Sequence, residues 1–127
     1  MLKEIRLIKL SEAQIKSGIA NYLETLQAMG KLWYTRLNSG TFVMGEGKSK
    51  RVIRGTKAGT ADFLVIRRCY PLGAPNKDEV FVTFLEVKTE KGRQNQAQID
   101  FQKLVESQGH LYKIVKSVDE VISLLGG

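Results

Sequence analysis

Acidic residues are scarce in this chain of 127 residues: thirteen Asp and Glu stand against twenty Lys and Arg, for a formal charge of +7. That excess favours a polyanionic partner, nucleic acid or an acidic membrane surface. There is one cysteine, Cys69, so no internal disulfide can form. No run has the length of a membrane span or the layout of a signal peptide, and a soluble protein of a reducing cytoplasm, not engaged with membrane, is the expectation. The single histidine, His110, opens a strand after a glycine and has no nucleophile beside it in sequence. A Walker-type phosphate loop, a dinucleotide-binding glycine pattern and Cys/His zinc spacing are all missing, which leaves no sequence basis for a small-molecule cofactor or a zinc site. Repeats and low-complexity segments are missing too. The length fits one domain, residues 1–127, with a core of useful size.

What is present reads as alternating helix and strand. Ser11 and Gln14 have the spacing of a capping box, and Ile15, Ile19, Tyr22, Leu23 and Leu26 recur at helical intervals, so a helix is expected over residues 12–29. Residues 1–10 fit neither period. Glu12 falls on the apolar stripe, where it either favours the helix dipole, by roughly 0.3–1 kcal/mol, or serves a function. Residues 32–37 read as a strand closed by the Asn38-Ser39-Gly40 turn. Residues 31–58 then carry seven basic side chains against the one acid Glu46. This segment, with its glycines at 40, 45, 47, 55 and 59, reads as a mobile loop suited to phosphate, or else as a merely solvated one.

The most informative stretch comes later. Residues 63–68 and 80–88 read as antiparallel strands joined through 71–79. The second ends in Glu86 and Lys88, which share a face because side chains two apart in a strand do so. Charge at the end of a buried strand costs several kcal/mol unless it is paired, solvated or metal-bound. Glu86 and Lys88 either neutralise each other or belong to a site. Antiparallel pairing brings Asp62, at the mouth of the first strand, to the Glu86 end. A helix over 94–108, a strand over 110–115 parallel to 80–88, and a short final helix complete the reading. Gln98, near the start of its helix, is either an exposed amide or a reach toward the Lys88 end or a water.

Two or three carboxylates within about 4 Å repel by roughly 4 kcal/mol per pair at an effective dielectric of 20, so they call for a cation. Oxygen ligands without His or Cys favour Mg²⁺ or Mn²⁺. Asp62 and Glu86, with the Val87 carbonyl and with Glu12 directly or through water, are the expected ligands. Lys88 and Gln98 are the expected organising groups. Metal-assisted phosphodiester hydrolysis is the chemistry this set suits. The cations expected on DNA are Arg36, Lys48, Lys50, Arg51, Arg54, Lys57, Lys91 and Arg93, together with Asn38.

Gly59-x-x-Asp62, then Glu86-Val87-Lys88, then Gly92 with Gln98 six residues on, resembles the VRR-NUC (virus-type replication-repair nuclease) domain of the PD-(D/E)XK superfamily. Ser11-Glu12 and Arg36-x-Asn38-Ser39-Gly40 extend the resemblance over nearly the whole chain. The family usually has proline before the aspartate, where this chain has Ala61. The resemblance implies an α/β, restriction-endonuclease-like core of order αβββαβ, with a mixed central sheet flanked by helices. It also implies a homodimer that cuts branched DNA such as Holliday junctions, as standalone phage-type members do. Two other readings stay open: a restriction-type nuclease acting on linear duplex, and a non-catalytic basic nucleic-acid-binding module.

Overall fold

The computed structural model describes residues 9–38, 41–68 and 79–125. The expectations for residues 1–8, for Ser39 and Gly40, for Cys69 and for the connection 71–78 lie outside these. The described residues are mixed α/β, with three α-helices and a four-stranded mixed sheet.

The first helix, α1 (Glu12–Ala28), begins as its capping box dictates: Ser11 Oγ accepts from the Gln14 N–H, and the Gln14 side chain accepts from the Ser11 N–H. A cap of this kind contributes about 1 kcal/mol. The helix buries Ile15, Ile19 and Leu23, each one turn after the last. β1 (Trp33–Arg36) follows. β2 (Thr41–Met44) and β3 (Arg51–Arg54) then pair antiparallel as a separate two-stranded ribbon. The main sheet resumes with β4 (Phe63–Arg68) and β5 (Val80–Val87), and α2 (Gln96–Ser107), β6 (Leu111–Val115) and α3 (Val118–Leu125) close the chain.

Strand order in the main sheet is β1-β4-β5-β6. The first three strands pair antiparallel, and β6 joins parallel to β5, as a strand returning through a helix should. Alternation along the strands splits the core in two. Phe63, Val65, Leu85, Val87 and Val115 pack with Ile15, Ile19 and Leu23 of α1 and with Val121 and Leu125 of α3. Tyr112 on the other face packs with Ala61, Val105, Phe84 and Phe101 under α2. Phe101 meets Phe84 and Tyr112 edge-on, at centroid separations of 5.1 and 6.1 Å, a favoured aromatic geometry. Leu104 of α2, by contrast, is 60% exposed.

The expectation of a mobile basic loop is corrected. Val43, Val52 and Ile53 suit a strand, and Gly45 and Gly47, at φ +89° and +60°, supply the turn that L-residues resist. Among the described residues, the ribbon packs on no other helix or strand. It is tied to the body by the Thr56 N–H, which donates to the Asn38 carbonyl at 2.7 Å. Val43 and Val52, cross-strand partners, are 62% and 66% exposed.

Candidate functional site

Register makes the site. Phe63 pairs with Leu85, so the next position out on each strand brings Asp62 beside Glu86. The Asp62 N–H donates to the Leu85 carbonyl at 3.0 Å, and the Val87 N–H donates to Asp62 Oδ2 at 2.7 Å. One carboxylate oxygen is thereby fixed by backbone. The other, Oδ1, receives the Lys16 ammonium at 2.9 Å. Lys16 projects from α1, a residue that periodicity and motif spacing did not single out.

Glu86 alternates with the buried Leu85 and Val87 and so turns to the opposite face, toward α2. It is 3% exposed. Its Oε1 accepts from Gln98 Nε2 at 3.1 Å and lies 3.7 Å from Lys88 Nζ. Its Oε2 is buried and receives no hydrogen bond from an N–H donor, which costs several kcal/mol for a charged oxygen. Burial first, then the negative charge of Asp62, push the Glu86 carboxyl up to about 8, against a smaller downward pull from Lys88; hydrogen bonding with Asp62 also favours the neutral acid.

Gln98 does more than the sequence suggested, and its partner is Glu86 instead of the Lys88 end. Asn95 and Gln98 form a second capping box: Asn95 Oδ1 accepts from the Gln98 N–H, and Gln98 Oε1 accepts from the Asn95 N–H, both at 2.9 Å. Because the amide oxygen is engaged at the cap, only the NH₂ is left to face Glu86. The N-x-x-Q spacing was the signal that would have found this. It also moves the start of α2 from the expected 94 to Gln96. Across the same face, the Tyr112 hydroxyl accepts from Gln94 Nε2 at 3.1 Å. Burial raises Tyr112 to about 12, with small contributions from Glu86 and Asp62.

Glu12 is corrected. Among the described residues, no three acidic, histidine or cysteine side chains gather into a group able to hold a metal. Its carboxylate lies 3.9 Å from Lys16 Nζ, and its side chain is 44% exposed. The next turn of the same helix reaches Asp62, and that turn carries a lysine. Val87 acts through its N–H on Asp62; no role for its carbonyl emerges from this contact.

The expected DNA-contacting residues lie on the surface in two groups. Lys48, Lys50, Arg51, Arg54 and Lys57 are exposed on or beside the ribbon, and Lys91 and Arg93 on the connection from β5 to α2. The Arg36 guanidinium lies 5.9 Å from the centroid of the Phe63 ring, so it helps to cover the core as well as adding charge. Asn38 acts through its backbone, as the ribbon's anchor. A groove of about 650 Å³, lined by Tyr22, Trp33, Ile66, Arg67 and Leu125 among others, lies at the opposite end of β4, away from Asp62 and Glu86.

No helix among the described residues is long and apolar enough to cross a membrane. Comparison with known protein families, with characterised proteins and with solved structures finds no match to this chain.

Proposed function

We propose that the chain is a Mg²⁺- or Mn²⁺-dependent DNA endonuclease with a PD-(D/E)XK-type site, acting on branched substrates such as four-way junctions. The observation that carries this is Glu86 Oε2, a buried carboxylate oxygen without a donor, next to Asp62 and within reach of Lys88. A hard divalent ion fits such an all-oxygen pair. Asp62 and Glu86 would hold it, and bound there it would lower the pKa of a water and polarise the phosphoryl group.

The residues themselves do the rest. Gln98 holds Glu86 in place from α2, and the Val87 N–H holds Asp62. Lys88 offers a cation beside the pair for the charge that builds on a phosphoryl oxygen as water attacks phosphorus and the bond to the leaving oxygen breaks. The ribbon supplies the sequence-independent grip on the phosphate backbone. A preference for branched DNA and a homodimer follow from the resemblance to VRR-NUC proteins, and a two-fold enzyme suits a junction of symmetric strands.

Asp62→Asn should lower Mn²⁺-dependent cleavage of a four-way junction on the order of a hundredfold or more, with DNA affinity little changed. Time courses on junction and linear duplex, for both proteins, check this. Equal rates for Asp62→Asn and the wild type would remove the catalytic assignment. Tight binding without cleavage of any structured DNA would leave a basic binding module, and preferred cleavage of linear duplex a restriction-type enzyme.

The grip has its own signature. Replacing Arg51 and Arg54 together with alanine should flatten the log–log salt dependence of DNA affinity by roughly 1.8, at about 0.9 per phosphate neutralised. Fluorescence anisotropy between about 50 and 200 mM salt, values chosen to span a steep part of that dependence, measures it. An unchanged slope would mean that the ribbon does not touch the backbone.

A further inference from the structure

We infer that Lys16 is an internal cation that occupies the metal-binding oxygen of Asp62, so that a divalent ion loads only by displacing it. The inference rests on the nuclease reading above and concerns how that site is controlled. Each carboxylate has one oxygen already committed. Asp62 Oδ2 is held by the Val87 N–H at 2.7 Å, and Glu86 Oε1 by Gln98 at 3.1 Å. Asp62 Oδ1 and Glu86 Oε2 are left as the oxygens through which the two acids would hold a cation. The second receives no N–H donor. The first carries the Lys16 ammonium at 2.9 Å, the shortest ion pair of this cluster.

Lys16 is well placed for the part. It stands one helical turn after Glu12, whose carboxylate lies 3.9 Å from the same ammonium, so a displaced Lys16 has a second acidic partner within a small rotation of its flexible stem. Its side chain is 23% exposed, enough for the head to swing out and little enough for the pair to be strong while it lasts. Lys88 does not play this role. It sits 3.7 Å from Glu86 Oε1, an oxygen Gln98 already holds, and leaves Asp62 Oδ1 and Glu86 Oε2 uncovered. Once displaced, the Lys16 ammonium lies beside the ion's ligand, free for a phosphate oxygen of the substrate. Lys16 is therefore a positioning residue with two opposed effects, weakening metal uptake and assisting the loaded site.

The test is calorimetric titration of Mn²⁺ into the protein without DNA, at alkaline pH where carboxylates are ionised, for wild type, Lys16→Met, Lys16→Gln and Lys16→Arg. Lys16→Met and Lys16→Gln should bind Mn²⁺ roughly tenfold more tightly, equivalent to about 1.4 kcal/mol, and Lys16→Arg should stay near the wild type because it keeps the charge. Cleavage at saturating Mn²⁺ should fall in Lys16→Met and Lys16→Gln, opposite in sign to the change in metal affinity. A merely structural lysine would move both quantities in the same direction. Two neutral variants guard against one that misfolds. If the wild type binds Mn²⁺ and neither neutral variant binds more tightly, the role of Lys16 is overturned while the nuclease reading stands. If no protein of the series takes up Mn²⁺, both fall together.

Discussion

Glu86→Gln should make the metal-free protein more stable above pH 8 while leaving it unable to cut DNA. The Glu86 carboxyl is raised from its ordinary 4.5 to about 8, by burial first and by Asp62 second. Between those values the folded protein retains a proton that the unfolded chain has released. Stability from this group is therefore greatest at the acid end, falls as pH climbs from about 4.5 toward 8, and levels off beyond. At 1.36 kcal/mol per pKa unit the loss is on the order of 5 kcal/mol. A neutral glutamine of the same shape avoids it, keeps an oxygen for Gln98 and places an NH₂ where Oε2 has no donor.

Thermal melts from pH 5 to 9 should slope downward for the wild type up to about pH 8 and lie flatter for Glu86→Gln, the difference between the two curves changing across that window and levelling off beyond it. Added Mn²⁺ should recover stability in the wild type alone, since binding to the folded state shifts the equilibrium by mass action. A site that is destabilising when empty and indispensable when filled is expected where a carboxylate is buried for catalysis. Parallel melting curves for the two proteins would show that Glu86 is not held protonated.

The second large effect is expected at Gly59. Its φ of +87° is a conformation that L side chains rarely adopt, and an added Cβ would run into the carbonyl of Ala97 and lie 2.9 Å from the Ala97 Cβ. Ala97 belongs to the first turn of α2, one residue before Gln98. Gly59→Ala therefore meets backbone strain of roughly 1–3 kcal/mol and pushes on the turn that aims Gln98 at Glu86. The combined cost should exceed about 3 kcal/mol, or roughly 10 °C in Tm, and cleavage should drop with it.

Gly30→Ala is the matched control. Gly30 has φ +74°, and a methyl group added there would meet nothing within 4 Å, so the substitution carries the strain without the collision. Differential scanning calorimetry of both variants separates the two contributions. Equal melting temperatures would show that the close approach of Gly59 to α2 carries no energy of its own.

The residue order by itself determined a good deal. Helical spacing from Ile15 to Leu23 and the Ser11 capping box specify α1, because a period of 3.6 and a side-chain acceptor at the N-terminus are local properties. β-branched and aromatic runs specify β4 and β5, and their antiparallel pairing alone brings Asp62 to Glu86, since register follows from which side chains must be buried. The Glu86-Val87-Lys88 alternation likewise placed a charged pair at a strand end. The tertiary structure decided what stands against that pair. Glu12 and Lys16 lie one turn apart on α1, and only the seating of the helix on the sheet selects the lysine for Asp62. Gln98 meets Glu86 because Gly59 lets α2 come close, and the basic segment is a ribbon because Val43, Val52 and Ile53 find partners across a turn. Local periodicity fixes elements and faces; contacts between residues distant in sequence depend on how whole elements pack, and these contacts set the charge balance at the site.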